Sequence, residues 1–474
     1  MKKFLALFLA VILNFQLHSH PWKPSNYVII DTDAGIDDIR AICLLLASPD
    51  VRVLAISVSS GILSPDNAYI KIKSLLNSFY HEGIPVGINR NNASSAKNLA
   101  YALNYEWGNE KNIDPGKAPD YLKVISDILK FEESKITFIC LGSLNSADNA
   151  IKTIPGFPSR IKNIVWSSNG LNDAKGFNYA IDSKSAMSVL KSTVKVITVK
   201  TSDNRLFYTD DLLSEIDGIK NLYSEKVKFF MQSSTAKNHS FAYEINDELI
   251  PVYLHYPDIF RTTLSGNNSE CVAENLSGIS EGYLKILRGE TVNRNQVFKK
   301  FPVDSSFYYD DVSSYVSEII SKYGMEEWQS GVLASEMHRH LGVYAIIGVK
   351  MGIRAREYFN TGVDEFEVVS WAGSVSPLSC MNDGIQLSTG ATPGHGLLTV
   401  KNDSPAPVVD FSYLNKKIRI SLNPEINQKI AGELKELNFV YGLDSNIYWE
   451  LVREKAIKYW RDFDRHDIFI IEEL

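Results

Sequence analysis

From about residue 27 to about residue 200, short runs of β-branched and other apolar residues alternate with longer stretches whose apolar positions recur three and four apart. The runs at 27–30, 53–58, 136–141, 161–166 and 194–198 read as buried strands, and 66–80 and 121–131 as helices with one apolar face. This alternation predicts βαβ units, an α/β fold with a mostly parallel sheet flanked by helices and a binding site at the carboxyl ends of the strands. The stretch 268–306 is strand-like and loop-rich, and 310–323 is helical in pattern. Near residue 326 the pattern changes to a long helix at 343–359, strands at 367–370, 396–400, 408–411 and 417–422, and closing helices. That order predicts a carboxyl-terminal α+β domain, with the division at about 325.

A chain of 474 residues exceeds what one core usually organises, which agrees with two domains. Its formal net charge of −7 and the lack of a clustered Lys/Arg stripe exclude a nucleic-acid partner and favour small molecules. Lys2 and Lys3, the apolar run 4–13 and a polar stretch reaching Pro21 read as a secretory signal peptide over 1–20. The run is too short to span a bilayer, so a periplasmic or secreted protein with no stable membrane anchor is expected. Cys43, Cys140, Cys271 and Cys380 form no CxxC pair, which argues against a zinc ribbon. Cys43 and Cys140 lie within apolar runs and read as small buried hydrophobes.

The strongest local signal is VIIDTDAGIDDIRAICLLLA at 28–47, where an apolar strand runs into Asp31, Asp33, Asp37 and Asp38 and then a helix. Crowded carboxylates raise one another's pKa and destabilise the fold unless a cation neutralises them. Oxygen-only ligands select a hard cation, calcium or magnesium. A helix cap at Asp37 or Asp38 would explain one aspartate, not four.

This stretch resembles the DTDPGIDDA signature of the inosine-uridine preferring nucleoside hydrolase family, with Ala34 in the proline's place. Three further segments resemble family motifs in the family's order: LGSLNSADNAI at 141–151, GFNYAIDSKSAMSVL at 176–190 and NDELIPVYLHYPDIF at 246–260. The resemblance implies an α/β enzyme that hydrolyses the N-glycosidic bond of a ribonucleoside or modified riboside with the help of Ca2+. It implies a calcium shell of Asp31, Asp33, Asp38, Asp247 and the main-chain carbonyl of Asn145, with Asp33 as general base on a calcium-held water. Asp37, Asn178 and, in the following loop, Asn172 would bind the sugar.

The departures fall in the substrate shell. Gly176 replaces a glutamate that contacts the ribose and faces its 5′ end, and Asn246 replaces a histidine linked to leaving-group protonation. Ile62 and the pair Ser168–Asn169 also replace glycine-containing turns. Preserved metal ligands beside altered sugar contacts imply a changed substrate, with ribosides modified at the 5′ position as candidates. A periplasmic nucleoside-binding module that has lost hydrolysis is the non-enzyme alternative. A haloacid-dehalogenase-type phosphatase also begins with Asp-x-Asp, but Gly35 stands where that class needs a hydroxylated residue. A homo-oligomer is compatible with each reading.

In the second segment, SEMHRHLGVYAIIGVKMG at 335–352 and SCMNDGIQLSTGATPGHG at 379–396 resemble the family of the E component of formylmethanofuran dehydrogenase, departing at Arg339 and His395. His338 and His340 share a face if the backbone there is extended. With the Cys380 thiolate they would make a transition-metal site, with Zn2+ the default ion.

Overall fold

The computed structural model describes residues 23–91, 95–171, 176–202, 206–291 and 297–474; the expected leader over 1–20 and Asn172 lie outside them. In the first part, strands β1 (Asn26–Thr32), β2 (Val51–Val58), β3 (Val86–Ile88), β4 (Ile136–Cys140), β5 (Ile161–Ser167), β6 (Val196–Thr201), β7 (Phe260–Ser265) and β8 (Asn268–Ala273) form one sheet. Its order is β3-β2-β1-β4-β5-β6-β8-β7, parallel throughout except for the β7–β8 hairpin. Every residue of β2 and of β4 is buried, as helices on both faces of a parallel sheet require. From β1 the chain winds outward to β3, then returns to the other side of β1 for β4, β5 and β6. The crevice at the carboxyl ends of β1 and β4 is therefore the topological switch point, and the aspartate loop leaves β1 into it.

The second part carries a five-stranded sheet of β9 (Glu367–Ser370), β10 (Leu398–Val400), β11 (Val408–Tyr413), β12 (Lys416–Leu422) and β13 (Phe469–Glu473), in the order β10-β9-β11-β12-β13. Helices Met325–His338, Val343–Phe359 and Asn446–Asp462 pack with it around a separate core. That core also takes Val316, Ile319 and Tyr323, upstream of residue 325.

Several elements differ from the sequence pattern. Loop-rich 268–306 contains the helix Leu276–Leu287, whose Ile279, Tyr283 and Ile286 face the core. The span 310–323 is two helices, Asp310–Ser313 and Val316–Tyr323. The chain closes on β13, which exists through its pairing with β12.

The two parts meet at the amino ends of the first sheet's strands. Arg52, at the start of β2, is buried and donates to both Glu365 carboxylate oxygens and to the Asn360 carbonyl. Just before β3, the Tyr80 ring stacks on His466 at 3.5 Å, and His81 contacts the Glu357 carbonyl at 2.6 Å. Gly83 donates to the Tyr358 carbonyl at 2.8 Å, and a side chain at Gly83 would collide with the Tyr358 and Phe359 rings.

Candidate functional site

The aspartate loop begins when Asp31, the sixth residue of β1, is carried into the interior. Asp31 is fully buried, its two carboxylate oxygens accepting from the Ser57 and Ser59 hydroxyls. Desolvation pushes its pKa up to about 6. Asp33 is 1% exposed, and its Oδ2 has no hydrogen-bond partner among the described residues. Burial, then the charge of Asp38, pushes its carboxyl well above the usual range. A Cβ at Gly61 would lie 1.7 Å from Asp33 Oδ2, so Gly61 makes the space that this carboxyl occupies. Ala34 takes a left-handed conformation, φ 59°, which proline cannot adopt, so its departure from the family motif is a departure in backbone shape.

The helix Ile36–Ala47 is capped by Gly35 without a side-chain bond, so the aspartates do not serve as its cap. Asp38 Oδ2 instead accepts from Thr32 Oγ1 at 2.5 Å and from the Asp33 amide at 3.1 Å. Its carboxyl also meets that of Asp247, which the β6-to-β7 connection brings in from far along the chain. Burial and neighbouring aspartates push Asp38 up to about 6 and Asp247 well above its ordinary value. Asp37, Asp38 and Asp247 place ligand oxygens within 4.8 Å of one another, the arrangement that suits a cation. Asp37, expected on the ribose hydroxyls, thus joins the carboxylate group, while Asp31 sits outside the cavity lining, one layer deeper. Two buried carboxyls in contact need either a shared proton or a positive charge between them.

Asn145 opens the helix Asn145–Thr153. Its side chain is committed to Asn89, Asn149 and Asp182. Asn178 donates to the Leu141 and Ser167 carbonyls, fastening the ends of β4 and β5 together at the cavity wall. The cavity, about 360 Å³, is lined by Asp33, Asp37, Asp38 and Asp247 at its floor. Tyr101 and Phe241, rings 4.8 Å apart, make one wall; Ser168, Asn169, Gly176 and Lys200 make another. Sequence reasoning missed Tyr101, Phe241 and Lys200. They come from the short helices Ala100–Leu103 and Ser240–Tyr243 and from the end of β6, with no distinctive spacing.

In the second part, the His338 and His340 rings lie 4.2 Å apart. Asp383 holds His338 Nδ1 at 2.7 Å, while His338 Nε2 is buried and has no partner among the described residues. Cys380 does not complete the expected three-ligand set: among the described residues, only Asp37, Asp38 and Asp247 bring three ligand atoms within 4.8 Å. Cys380 sits in the tight turn Leu378–Cys380, where burial pushes its thiol pKa up. The turn at Arg339, φ 64°, brings the two histidines together without the extended backbone that was expected.

Residues 28–306 match the family model of the inosine-uridine preferring nucleoside hydrolase, and residues 337–454 match that described as FmdE, molybdenum formylmethanofuran dehydrogenase operon. Uridine nucleosidase 1 of Arabidopsis thaliana is 26% identical over 251 residues, covering 49% of this chain and 75% of its own. The pyrimidine-specific ribonucleoside hydrolase RihA of an Escherichia coli strain is 25% identical over 260 residues, 50% of this chain and 81% of its own. A solved inosine-uridine preferring nucleoside hydrolase from Bacillus anthracis superposes with TM-score 0.41 at 16% identity, over 56% of this chain and 99% of its own.

Proposed function

The chain belongs, through residues 28–306, to the inosine-uridine preferring nucleoside hydrolase family of hydrolases acting on N-glycosyl compounds, and from that premise we propose calcium-dependent hydrolysis of a ribonucleoside or modified riboside with Asp33 as general base. The observation that carries this reading is the buried Asp33 Oδ2 at the floor of the cavity, unpartnered among the described residues and set beside a cluster of further carboxyls.

The donor set is all oxygen, which suits calcium, and burial followed by the neighbouring aspartates raises the carboxyls of Asp38 and Asp247. Asp33, Asp38, Asp247 and the Asn145 carbonyl would hold the ion, with Asp31 supporting them from beneath and Asp37 shared between ion and ribose. When bound, calcium would neutralise the floor, fix the sugar's vicinal hydroxyls and lower the pKa of a water. Asp33 accepts the proton of the attacking water at Oδ2. As the bond from C1′ to the base nitrogen breaks, positive charge grows on the ribosyl ring, and the surrounding carboxylates favour it. Tyr101 and Phe241 offer the base an aromatic face, and Asn178 keeps the sugar wall in place.

Release of free base from a panel of ribosides, with and without a calcium chelator, tests the reading. Turnover that disappears on chelation and returns with calcium is expected. Tight binding of ribosides without turnover of any would replace hydrolysis with the binding-module reading.

For the second part we infer a transition-metal site at His338 Nε2 and His340, with Asp383 fixing the His338 tautomer. Zinc in the purified full-length chain should fall on His338→Ala and survive Cys380→Ser; equal zinc in all three proteins would remove these histidines as ligands. The signal-like leader supports export to the periplasm or beyond. Fractionation of the expressing cell tests this, with cytoplasmic protein as the contrary result.

A further inference from the structure

A ribose held by its 2′- and 3′-hydroxyls must send its base to one side and C5′ to the other, since C1′ and C4′ flank the diol. The sheet order separates those sides. Tyr101 follows β3, on one flank of β1, and Phe241 of the β6-to-β7 connection reaches its ring at 4.8 Å, whereas Ser168 and Asn169 follow β5 and Lys200 belongs to β6, on the opposite flank. With the base against the aromatic wall, C5′ points towards Asn169, Gly176 and Lys200.

That second wall is unusual for its charge. Lys200 is the one basic residue lining an otherwise acidic cavity, among the described residues. Its ammonium lies 3.1 Å from the Asn169 carbonyl and 3.1 Å from Glu270, its two partners among the described residues, and its side chain is 28% exposed. Glu270 is itself engaged by the Leu171 amide at 3.2 Å and does not line the cavity. At Gly176 there is no carboxylate, and a Cβ there would come no nearer than 3.4 Å to Asn169. Ser168 and Asn169 add polar side chains to the same wall. A wall with a cation, amide and hydroxyl groups, and no side chain at Gly176 suits an anion larger than a hydroxymethyl group.

Resting on the hydrolase reading above, we propose that the substrate is a ribonucleoside 5′-monophosphate, with Lys200 as the cation for its phosphate and Gly176 providing the room. The bond between C1′ and the base nitrogen breaks as the water oxygen joins C1′; one water proton stays on that oxygen as the new C1′ hydroxyl, and the other passes through Asp33 to the departing base, which leaves Asp33 ionised again. The products are ribose 5-phosphate and free base.

The test compares kcat/KM for uridine 5′-monophosphate and uridine, and for inosine 5′-monophosphate and inosine, in the calcium-loaded full-length protein. The phosphorylated-to-neutral ratio should exceed about 10, fall at least about tenfold in Lys200→Met and be largely retained in Lys200→Arg. Gly176→Glu should invert it. A wild-type ratio below one, or a ratio indifferent to Lys200→Met, overturns the proposal. If none of these compounds is hydrolysed, the hydrolase reading fails on its own account, and calorimetric binding of ribose 5-phosphate against ribose still decides the role of Lys200. Equal affinities would then refute it.

Discussion

Two regions of this molecule bury carboxylates and do so by opposite means. Beneath the cavity, Asp33, Asp38 and Asp247 are at most 3% exposed, and among the described residues no lysine or arginine answers them. In the second part, Glu327 is equally buried, but Lys350 meets it at 2.6 Å and Arg465 at 3.0 Å. Arg465 continues to Glu357 at 2.5 Å, and His466 closes the chain on Glu357 at 3.0 Å. The pKa directions divide accordingly: burial raises the aspartates, whereas Arg465 and His466 hold Glu357 well below its ordinary value despite burial. Internal compensation marks charge that serves the fold, and its absence marks charge that awaits a ligand.

The largest effect expected from breaking this contrast is on stability in the paired network. Glu327→Gln leaves Lys350 and Arg465 partly uncompensated and should cost about 3 to 5 kcal/mol in urea unfolding. A change below about 1 kcal/mol would mean that the network contributes little. On the unpaired side, Asp33→Ala should leave the fold intact by circular dichroism while lowering kcat on the order of 10³-fold, about 4 kcal/mol of barrier. Gly61→Ala should approach this loss without removing a polar atom, because the added methyl takes the position of Asp33 Oδ2. Near wild-type turnover in both variants would dissociate catalysis from this carboxyl.

The boundary between the parts offers a test through pH. His81 is 3% exposed between the Glu357 carbonyl and the Tyr223 hydroxyl, and desolvation lowers its pKa from 6.5 to about 4. Between those values the unfolded chain binds the extra proton, so stability is complete above pH 6.5 and is lost as pH falls towards 4. The loss attributable to this histidine reaches roughly 3 kcal/mol. Wild type and His81→Gln, compared by urea unfolding at pH 7 and pH 4.5, should differ in this slope; parallel slopes would show that His81 does not titrate across folding. The smallest expected effect is at Ala34. Its left-handed backbone should be relieved by Ala34→Gly, raising stability by about 1 kcal/mol in the calcium-free protein, and a loss of stability would contradict that strain.

The parallel sheet and the aspartate loop were legible because each has a local signature, fully apolar strand runs in one case and four acids after such a run in the other. Asp247 was reachable only through the family resemblance, since its partner Asp38 lies far away along the chain. The helix Met325–His338 was missed because its apolar residues do not segregate to one face, and β3 because its three residues carry too little pattern. The aromatic and Lys200 walls assemble only when short helices and a strand end from opposite flanks of β1 converge. The histidine pair was legible from its spacing, whereas Cys380 lies far along the chain, where no local pattern fixes its distance from the imidazoles.

The docking of the second part on Arg52 and Gly83 has a mechanical meaning. These residues lie at the amino edge of the first sheet, and the cavity opens at the carboxyl edge. The 8 residues of β2 separate the two by about 25 Å. The second part therefore stands under the hydrolase floor as a footing and leaves the mouth clear, so substrate and product traffic passes without its opening or closing. Any displacement passed from the second part to the cavity along β2 travels lengthwise through a fully buried strand, a path stiff enough to transmit it but poorly suited to damping it.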